Sequence, residues 1–466
     1  MTRPIWLVLV KEIRQMRRDA RLLAAGFLGF LLVAVASFVG VQHHQIVTQQ
    51  KREAAQTERS RWLNLSDLGP HGAAHFGIYV FKPETPLMAF DPGVDQFLGV
   101  SVWLEAHKQN KFIYRPMQDA GAVQRFFNMT PAAIIQLLGP LIIILLGFNA
   151  FAGERDQGTL RQLLSIGVDG RFLLLGKAAA VTGVLFLVLV PAVAMAIAAG
   201  IGLSADVSWL RLTLLVFVYC LYLGTFVGLT LAVTARAGSA RSALAFLLAF
   251  WVVNGFLVPR SVAEIADWAI PLPSATAWQA GMEAEIRDGH ATALELQVKR
   301  ELFAQYGVDN VDALPVNWRG IMLQRGEEQN YPVFDAHFGK LFDGVRRQDI
   351  VYQWGGLLAP AVTIQSLSMG LAGSDFEHHK GFVRAAEEHR RVIQKTLNEE
   401  LTLHPEKEWG EYSAGPELWA RVPEFQYALP DLRDLMWHYA PAALILLAWC
   451  ALAWVLALRS ATTLRP

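Results

Sequence analysis

Six stretches of the chain run without a charged side chain for roughly the 20 residues a helix needs to cross a hydrocarbon core. They are Leu22–Val41, the apolar run Ala132–Ala152 ahead of Glu154, the interval between Lys177 and Asp206, the interval between Arg211 and Arg236, Ser242–Pro259, and Leu435–Leu458. One such run is compatible with a buried core helix; six in one chain predict six transmembrane helices. Two long polar segments separate them, 42–130 and 260–434. In the first, Gln42–Trp62 carries the helical pattern outward from the first span. Gly69-Pro70, Lys82-Pro83, Thr85-Pro86 and Asp91-Pro92-Gly93 then break it, and Ile78–Phe81 reads as a short strand. In the second, Ala275–Tyr306 and Ser374–His404 place apolar residues three and four apart, the helical period. Neither segment contains a repeat or low-complexity sequence, and each has enough Trp, Phe and Leu for a small core of its own. The expected fold is mostly α: a polytopic membrane protein with six transmembrane helices and two extracytoplasmic insertions, the smaller irregular α/β, the larger mainly helical.

Ahead of the first span, Trp6, Val10, Ile13 and Met16 recur at helical spacing, with Lys11, Arg14, Arg17 and Arg18 on other faces. That pattern predicts an amphipathic helix lying on the membrane surface. Ala34-Val35-Ala36 resembles a signal-peptidase site, but the long segment before it is unlike a signal peptide, so the first span is expected to remain as an anchor.

Charge adds orientation. The totals balance at 41 basic and 41 acidic residues, which excludes a global attraction to nucleic acid. A six-span partition resolves that zero into two faces. The N-terminal segment, the loop to Lys177, the Arg236–Arg241 turn and the C-terminal tail together hold 14 basic and 5 acidic residues, and the remainder holds 27 and 36. Because basic loops stay in the cytoplasm, both termini are expected inside. The resulting division is 1–21 amphipathic helix, 22–41 first span, 42–130 first outer domain, 131–153 second span and 154–171 cytoplasmic connector. Spans three to five occupy 172–259, the second outer domain 260–434, the sixth span 435–458 and the tail 459–466. Cys220 and Cys450 both lie inside apolar runs, so neither a disulfide framework nor a cysteine metal site is expected.

The spans lack charge at their centres, which argues against a carrier working by intramembrane titration. Their polar residues Gln136, Asn149, Tyr219, Tyr222, Thr225 and Asn254 suit helix–helix hydrogen bonds. There is no G-x-x-x-x-G-K-[ST] phosphate loop, and Gly176-Lys177-Ala178 does not make one. Any ATP-driven work therefore falls to another polypeptide. All twelve histidines fall in or beside the outer segments. His71-x-x-x-His75 and His378-His379 have ligand chemistry, but Gly69-Pro70 and Gly72 argue against a helical pair, and no metal site is expected. No H-E-x-x-H is present.

The informative cytoplasmic stretch is Phe151 to Ser165, in which acidic residues begin a short amphipathic helix with Leu160, Leu163 and Leu164 on one face. The longer segment "FAGERDQGTLRQLLSIGVDGRFLLLGK" resembles the E-R-E-x-G-T-L…L-L-S…G-K signature of ABC-2 type transporter permeases. "LVKEIRQMRRDARLL" resembles the amphipathic N-terminal helix of that family. "HGAAHFGIYVFKPETPLMAFDPGV", "LGVSVWLEAHKQN" and "APAVTIQSLSMGLAGSDFEHHKGF" resemble permeases with a DUF3526-type outer domain. Asp156-Gln157 departs slightly from the usual pattern. The resemblance implies a transport subunit of the cytoplasmic (inner) membrane, with no catalytic residues and no cofactor of its own. It also implies an ATP-binding partner that holds ATP and magnesium, a second permease chain, the same or homologous, and surrounding lipid. The coupling residues carried over are Glu154, Arg155, Asp156, Gly158, Thr159, Leu160 and Leu163, with Glu154 placed to meet a basic group of the partner. No motif marks a substrate site. The competing readings are a membrane-anchored enzyme acting through outer carboxylates such as Glu84, Asp91 or Glu105, and an assembly factor.

Overall fold

The computed structural model describes residues 2–66, 68–119, 129–202, 208–288, 291–405 and 412–464. The chain opens with α1 (Thr2–Arg18) and the long α2 (Ala20–Leu63). A region outside the candidate spans follows: α3 (Pro70–Phe76), β1 (Ile78–Phe81), β2 (Ser101–Leu104) and the short α4 (Pro116–Asp119). Next come α5 (Pro131–Gly147), α6 (Ala152–Asp156), α7 (Thr159–Ser165), α8 (Gly170–Gly202), α9 (Trp209–Arg236) and α10 (Ala240–Val252). A π turn at Val253–Leu257 joins α10 to α11 (Val258–Ala269). The second outer segment contributes α12 (Ala275–Asp288), α13 (Ala291–Tyr306), α14 (Trp318–Trp354), α15 (Pro360–Ala372), α16 (Phe376–Thr402) and α17 (Pro416–Arg421). The chain ends in α18 (Leu432–Thr462).

Among the described residues six helical stretches are long and apolar enough to cross a membrane: Leu22–Leu63, Pro131–Asp156, Gly170–Ala192, Trp209–Arg236, Ala240–Ala269 and Leu432–Thr462. The protein is a mostly α polytopic membrane protein. Its bundle core is built around Ile143, Tyr222, Phe226 and Leu446, while Phe27, Phe186, Phe217 and Leu444 remain exposed on the outside of the bundle. Exposed apolar side chains are the arrangement expected where lipid rather than water surrounds the helices. The polar residues of the spans bond between elements. Gln136 Nε2 donates to Tyr219 Oη at 2.8 Å, and Tyr222 Oη donates to the Gln136 carbonyl at 2.7 Å. Asn254, on the π turn, accepts from the Ala361 amide at 3.0 Å. Thr225 Oγ1 donates to the Leu221 carbonyl of its own helix.

Gln42–Trp62 does extend the first span as one helix, and Ile78–Phe81 is a strand, paired antiparallel to β2 with Ile78 opposite Leu104 and Phe81 opposite Ser101. The two segments share part of their interior. Trp62, Val80 and Val102 from the first are buried in one cluster with Ile393, Leu397 and Trp419 from the second. Trp62 Nε1 donates to the Trp419 carbonyl at 3.0 Å, and Trp419 Nε1 donates to the Leu65 carbonyl at 2.9 Å. Each indole N–H thus has a partner inside an otherwise apolar core. The two segments thus share one buried cluster, and the second keeps a smaller one of its own around Val298, Leu302 and Leu314.

Candidate functional site

A cluster of buried charge lies where α1 meets α6 and α8. Glu12, Glu154 and Lys177 are 7%, 6% and 1% exposed. Lys177 Nζ donates to Glu12 Oε1 at 2.8 Å and to Glu154 Oε1 at 2.9 Å. Lys11 Nζ closes the group, at 3.0 Å from Glu12 Oε1 and bonded also to Glu154 Oε1. Two ammoniums and two carboxylates make the cluster formally neutral, the condition under which buried charges are tolerated. Burial works against ionised Glu12, but Lys177 and then Lys11 more than offset it, so its carboxyl sits below the usual range. Lys177 Nζ also lies 5.3 Å from the centre of the Phe151 ring. A Cβ on Gly176 would lie 2.6 Å from Val8 Cβ, so only glycine lets α1 press against α8 at this level. A cleft of about 520 Å3 opens beside the cluster, with Gln15, Asn149, Gln157 and Gln162 among its lining residues.

The neighbouring residues of the same short stretch each hold a different element. Arg155 donates from Nη1 to the Ala237 carbonyl at 2.7 Å and from Nη2 to the Ala235 carbonyl at 2.9 Å, a cation at the C-terminal end of α9. Asp156 accepts from the Ala240 amide at 3.0 Å, an anion at the N-terminal end of α10. Gly158 has φ of +73°, a left-handed conformation that costs glycine nothing, and it splits the stretch into α6 and α7. The single amphipathic helix expected from the sequence is therefore two short helices at a glycine corner. Thr159 Oγ1 donates to the Glu154 carbonyl at 3.2 Å across that corner. Leu160 is fully buried in the bundle core, with Leu163 and Leu164 packed partly against it. The C-terminal ends of α6 and α9 and the N-terminal ends of α7 and α10 are thus gathered around Glu154–Leu164.

A family profile described as "ABC-2 family transporter protein" matches residues 6–297, which takes in α1, this junction and the first five spans. The chain belongs to the ABC-2 transporter family. It is accordingly a membrane permease subunit of an ABC transporter. A second profile, described as "Domain of unknown function (DUF3526)", matches residues 277–428, from α12 to α17. No curated protein matches the chain at a significant level.

The structure brings all seven sequence-predicted coupling residues of the permease into one corner but changes what Glu154 is. It is an internal ion-pair partner of Lys11 and Lys177, not an exposed charge, and it sits inside α6 rather than opening the amphipathic helix. The exposed face of the corner is formed by Asp156, Gln157, Gly158, Arg161, Gln162, Ser165 and Ile166, the last 76% exposed. Sequence reasoning missed Lys11, Glu12 and Lys177 as members of the junction. Two signals were available: Glu12 is the only acidic residue within the basic α1, one turn before buried Met16, and Lys177 ends the motif directly after Gly176.

The outer carboxylates that an enzyme reading needs are each engaged separately. Glu84 pairs with Lys51 and with His44 at 3.6 Å; burial opposes its charge, yet Lys51 prevails and holds it at about 2. Asp91 accepts from Ser368 and from the Gly93 amide, and burial pushes its carboxyl upward. Glu105 is bound by Lys108 and Asn110. His378 and His379 also diverge. His378 lies between Asp375 and Arg211, whereas His379 faces the Phe112 and Phe376 rings. His71 and His75 depart from expectation: Pro70 starts a helix instead of preventing one, and the two imidazoles share a face. His290 lies outside the described residues.

Proposed function

We propose that this permease moves a substrate across the cytoplasmic membrane with energy from a separate ATP-binding subunit, pairing with a second permease chain, identical or homologous. In this reading α1, the α6–α7 corner and the α9–α10 turn face the cytoplasm, and the outer unit lies on the periplasmic or extracellular side. The observation that carries it is the division of labour at the corner. Glu154, Arg155 and Asp156 attach it to α8 and α1, to α9 and to α10 respectively, so a push on its exposed face reaches several helices together. Docking then falls to the exposed residues Arg161, Gln162 and Ile166, while Glu154 and Leu160 keep the corner attached to the bundle.

Co-purification of the ATP-binding subunit, with its ATP turnover in reconstituted membranes, tests this assignment. Ile166→Glu and Arg161→Glu together are expected to abolish co-purification at unchanged membrane abundance, since losing anchors at an interface core costs at least about 2 kcal/mol. Wild-type association in that variant refutes docking at this face. Orientation is tested separately by single cysteines. Positions near Lys108 and Glu295 are expected to label from outside intact cells with a permeable outer envelope, and positions near Arg161 and Arg236 are not.

A further inference from the structure

Three histidines that play no part in the transport reading converge on the outer unit. His71 and His75 lie one turn apart on α3, and His107 reaches them from the turn after β2. One ligand nitrogen from each falls within 4.8 Å of the others, and the His71 and His75 Nε2 atoms are 3.0 Å apart. Two imidazole nitrogens that face each other at this separation share one N–H···N hydrogen bond. They also stand at the separation expected of two ligands on one tetrahedral ion, about 3.3 Å for metal–nitrogen bonds of about 2.05 Å.

His107 is set in place from behind. It holds φ of +67°, rare for a residue with a side chain. Glu327, 1% exposed on α14, accepts from the His107 backbone N–H and lies 3.2 Å from its Nδ1. Glu327 is itself fixed by Arg390 Nη1 at 2.8 Å, from α16. A carboxylate at Nδ1 keeps the proton on that nitrogen and leaves the Nε2 lone pair directed outward, the arrangement by which proteins orient metal-binding histidines.

We propose that His71, His75 and His107 form a mononuclear site for a divalent transition-metal ion of the zinc type, bound through three imidazole nitrogens, with Glu327 as the positioning residue and the fourth position open to water. The all-imidazole donor set favours zinc, copper(II) or nickel over calcium or magnesium, which take oxygen, and over copper(I), which takes sulfur. His75 and His107 are solvent-exposed, so an ion has direct access. Glu327 and Arg390 belong to the second segment and the histidines to the first, so the second segment positions a ligand of an ion held by the first. The site stands independently of the transport reading.

The test uses the full-length permease in detergent, stripped with chelator and titrated with zinc(II) by calorimetry and with cobalt(II) by visible absorption. One equivalent per chain is expected, with the intense d–d bands of low-coordinate cobalt. His71→Gln with His75→Gln, at positions on a short surface helix, is expected to abolish both signals, and His107→Gln to do the same. Glu327→Gln is expected to keep the stoichiometry and weaken binding about 10- to 100-fold. Since Glu327 is buried, size-exclusion behaviour of each variant is followed alongside; if that variant does not fold, the histidine variants decide. His404→Gln, outside the cluster, is expected to bind as the wild type does. The proposal is overturned if the wild-type chain takes up no zinc at micromolar concentration, or if the His71/His75 double variant retains one equivalent at unchanged affinity.

Discussion

At the α1–α8 junction, Lys177 serves Glu12 and Glu154 together, and among the described residues the only other cation on either carboxylate is the half-exposed Lys11. In the outer unit, Arg390 likewise sits between two carboxylates, Glu327 and Glu387, but each has a second donor of its own. Glu387 also binds Arg391 at 2.8 Å, and Glu327 also accepts from His107. The first cluster is a shared arrangement and the second a chain of separate pairs. Removing the central cation therefore has different consequences. Without Lys177, two buried carboxylates compete for one ammonium; without Arg390, neither carboxylate is left bare.

The largest expected effect is accordingly at Lys177. Lys177→Met should destabilise the permease by about 3–5 kcal/mol, the range for breaking a buried ion pair from one side. Arg390→Met should cost less, about 1.5–3 kcal/mol, the range for hydrogen bonds to charged groups, since each carboxylate keeps another donor. Thermal unfolding in detergent, followed by tryptophan fluorescence, ranks the two. Because Glu154 and Lys177 are in contact, Glu154→Gln with Lys177→Met should cost less than the sum of the single changes. An Arg390 variant less stable than the Lys177 variant would break the comparison.

Arg155 comes next. Its two bonds to the α9 carbonyls are charge-assisted, and Arg155→Met should cost about 1.5–3 kcal/mol. The loss should concentrate in the α9–α10 turn, where amide exchange of residues 234–240 would rise while that of 2–18 stays unchanged.

Acid separates the two regions in another way. Burial, aided by Lys82, lowers His379 to about 3, and burial, aided by Arg59, lowers His389 to about 4. A depressed imidazole contributes stability that is complete above its unfolded value near 6.5 and is lost as pH falls toward the folded value. For a fully buried imidazole such as His379 this amounts to roughly 1 kcal/mol per pH unit below 6.5. Glu12 behaves differently. Its carboxyl is depressed, so its contribution persists down to the ordinary carboxylate range near 4.5 and fades only below it. Between pH 6.5 and 5, amide exchange in α16 should accelerate while α1 remains protected. Simultaneous loosening of both regions would contradict the assignment.

The sequence-level reading succeeded where the physics was local. Spans follow from runs of uncharged residues, the extension of α2 from unbroken helical spacing, and β1 from a short run closed by Pro83. It failed where partners are distant in the chain. Glu154 looked like a surface charge because its cations lie 143 residues earlier and 23 later, and no periodicity links them. The three-histidine cluster was hidden by a different cause. Gly69-Pro70 reads locally as a breaker, but proline is well placed in the first turn of a helix, where its missing N–H has no partner to lose. Glu327, 220 residues from His107, carries no local mark at all. The shared outer core fails for the same reason: Trp62 and Trp419 each read as an ordinary aromatic, and only their meeting makes the core.

The smallest expected effect falls on Asp156, where stability and docking can be told apart. Its carboxylate accepts from the Ala240 amide at the start of α10, but Ser239 already caps that helix, accepting from the Ser242 amide at 3.2 Å while Ser242 Oγ accepts from the Ser239 amide. The helix end is thus satisfied twice, and Asp156 is exposed to solvent, which screens its charge. Asp156→Ala should therefore cost only about 0.3–1 kcal/mol, within the range for a charge at a helix terminus. Ser239→Ala should cost at least as much, because it removes the side-chain acceptor on which the reciprocal cap depends. If Asp156 also belongs to the face that meets an ATP-binding subunit, its replacement will weaken co-purification by more than Ser239→Ala does at equal thermal stability. Equal losses of association in the two variants would mean that Asp156 acts only by holding α10, and would confine docking to α7.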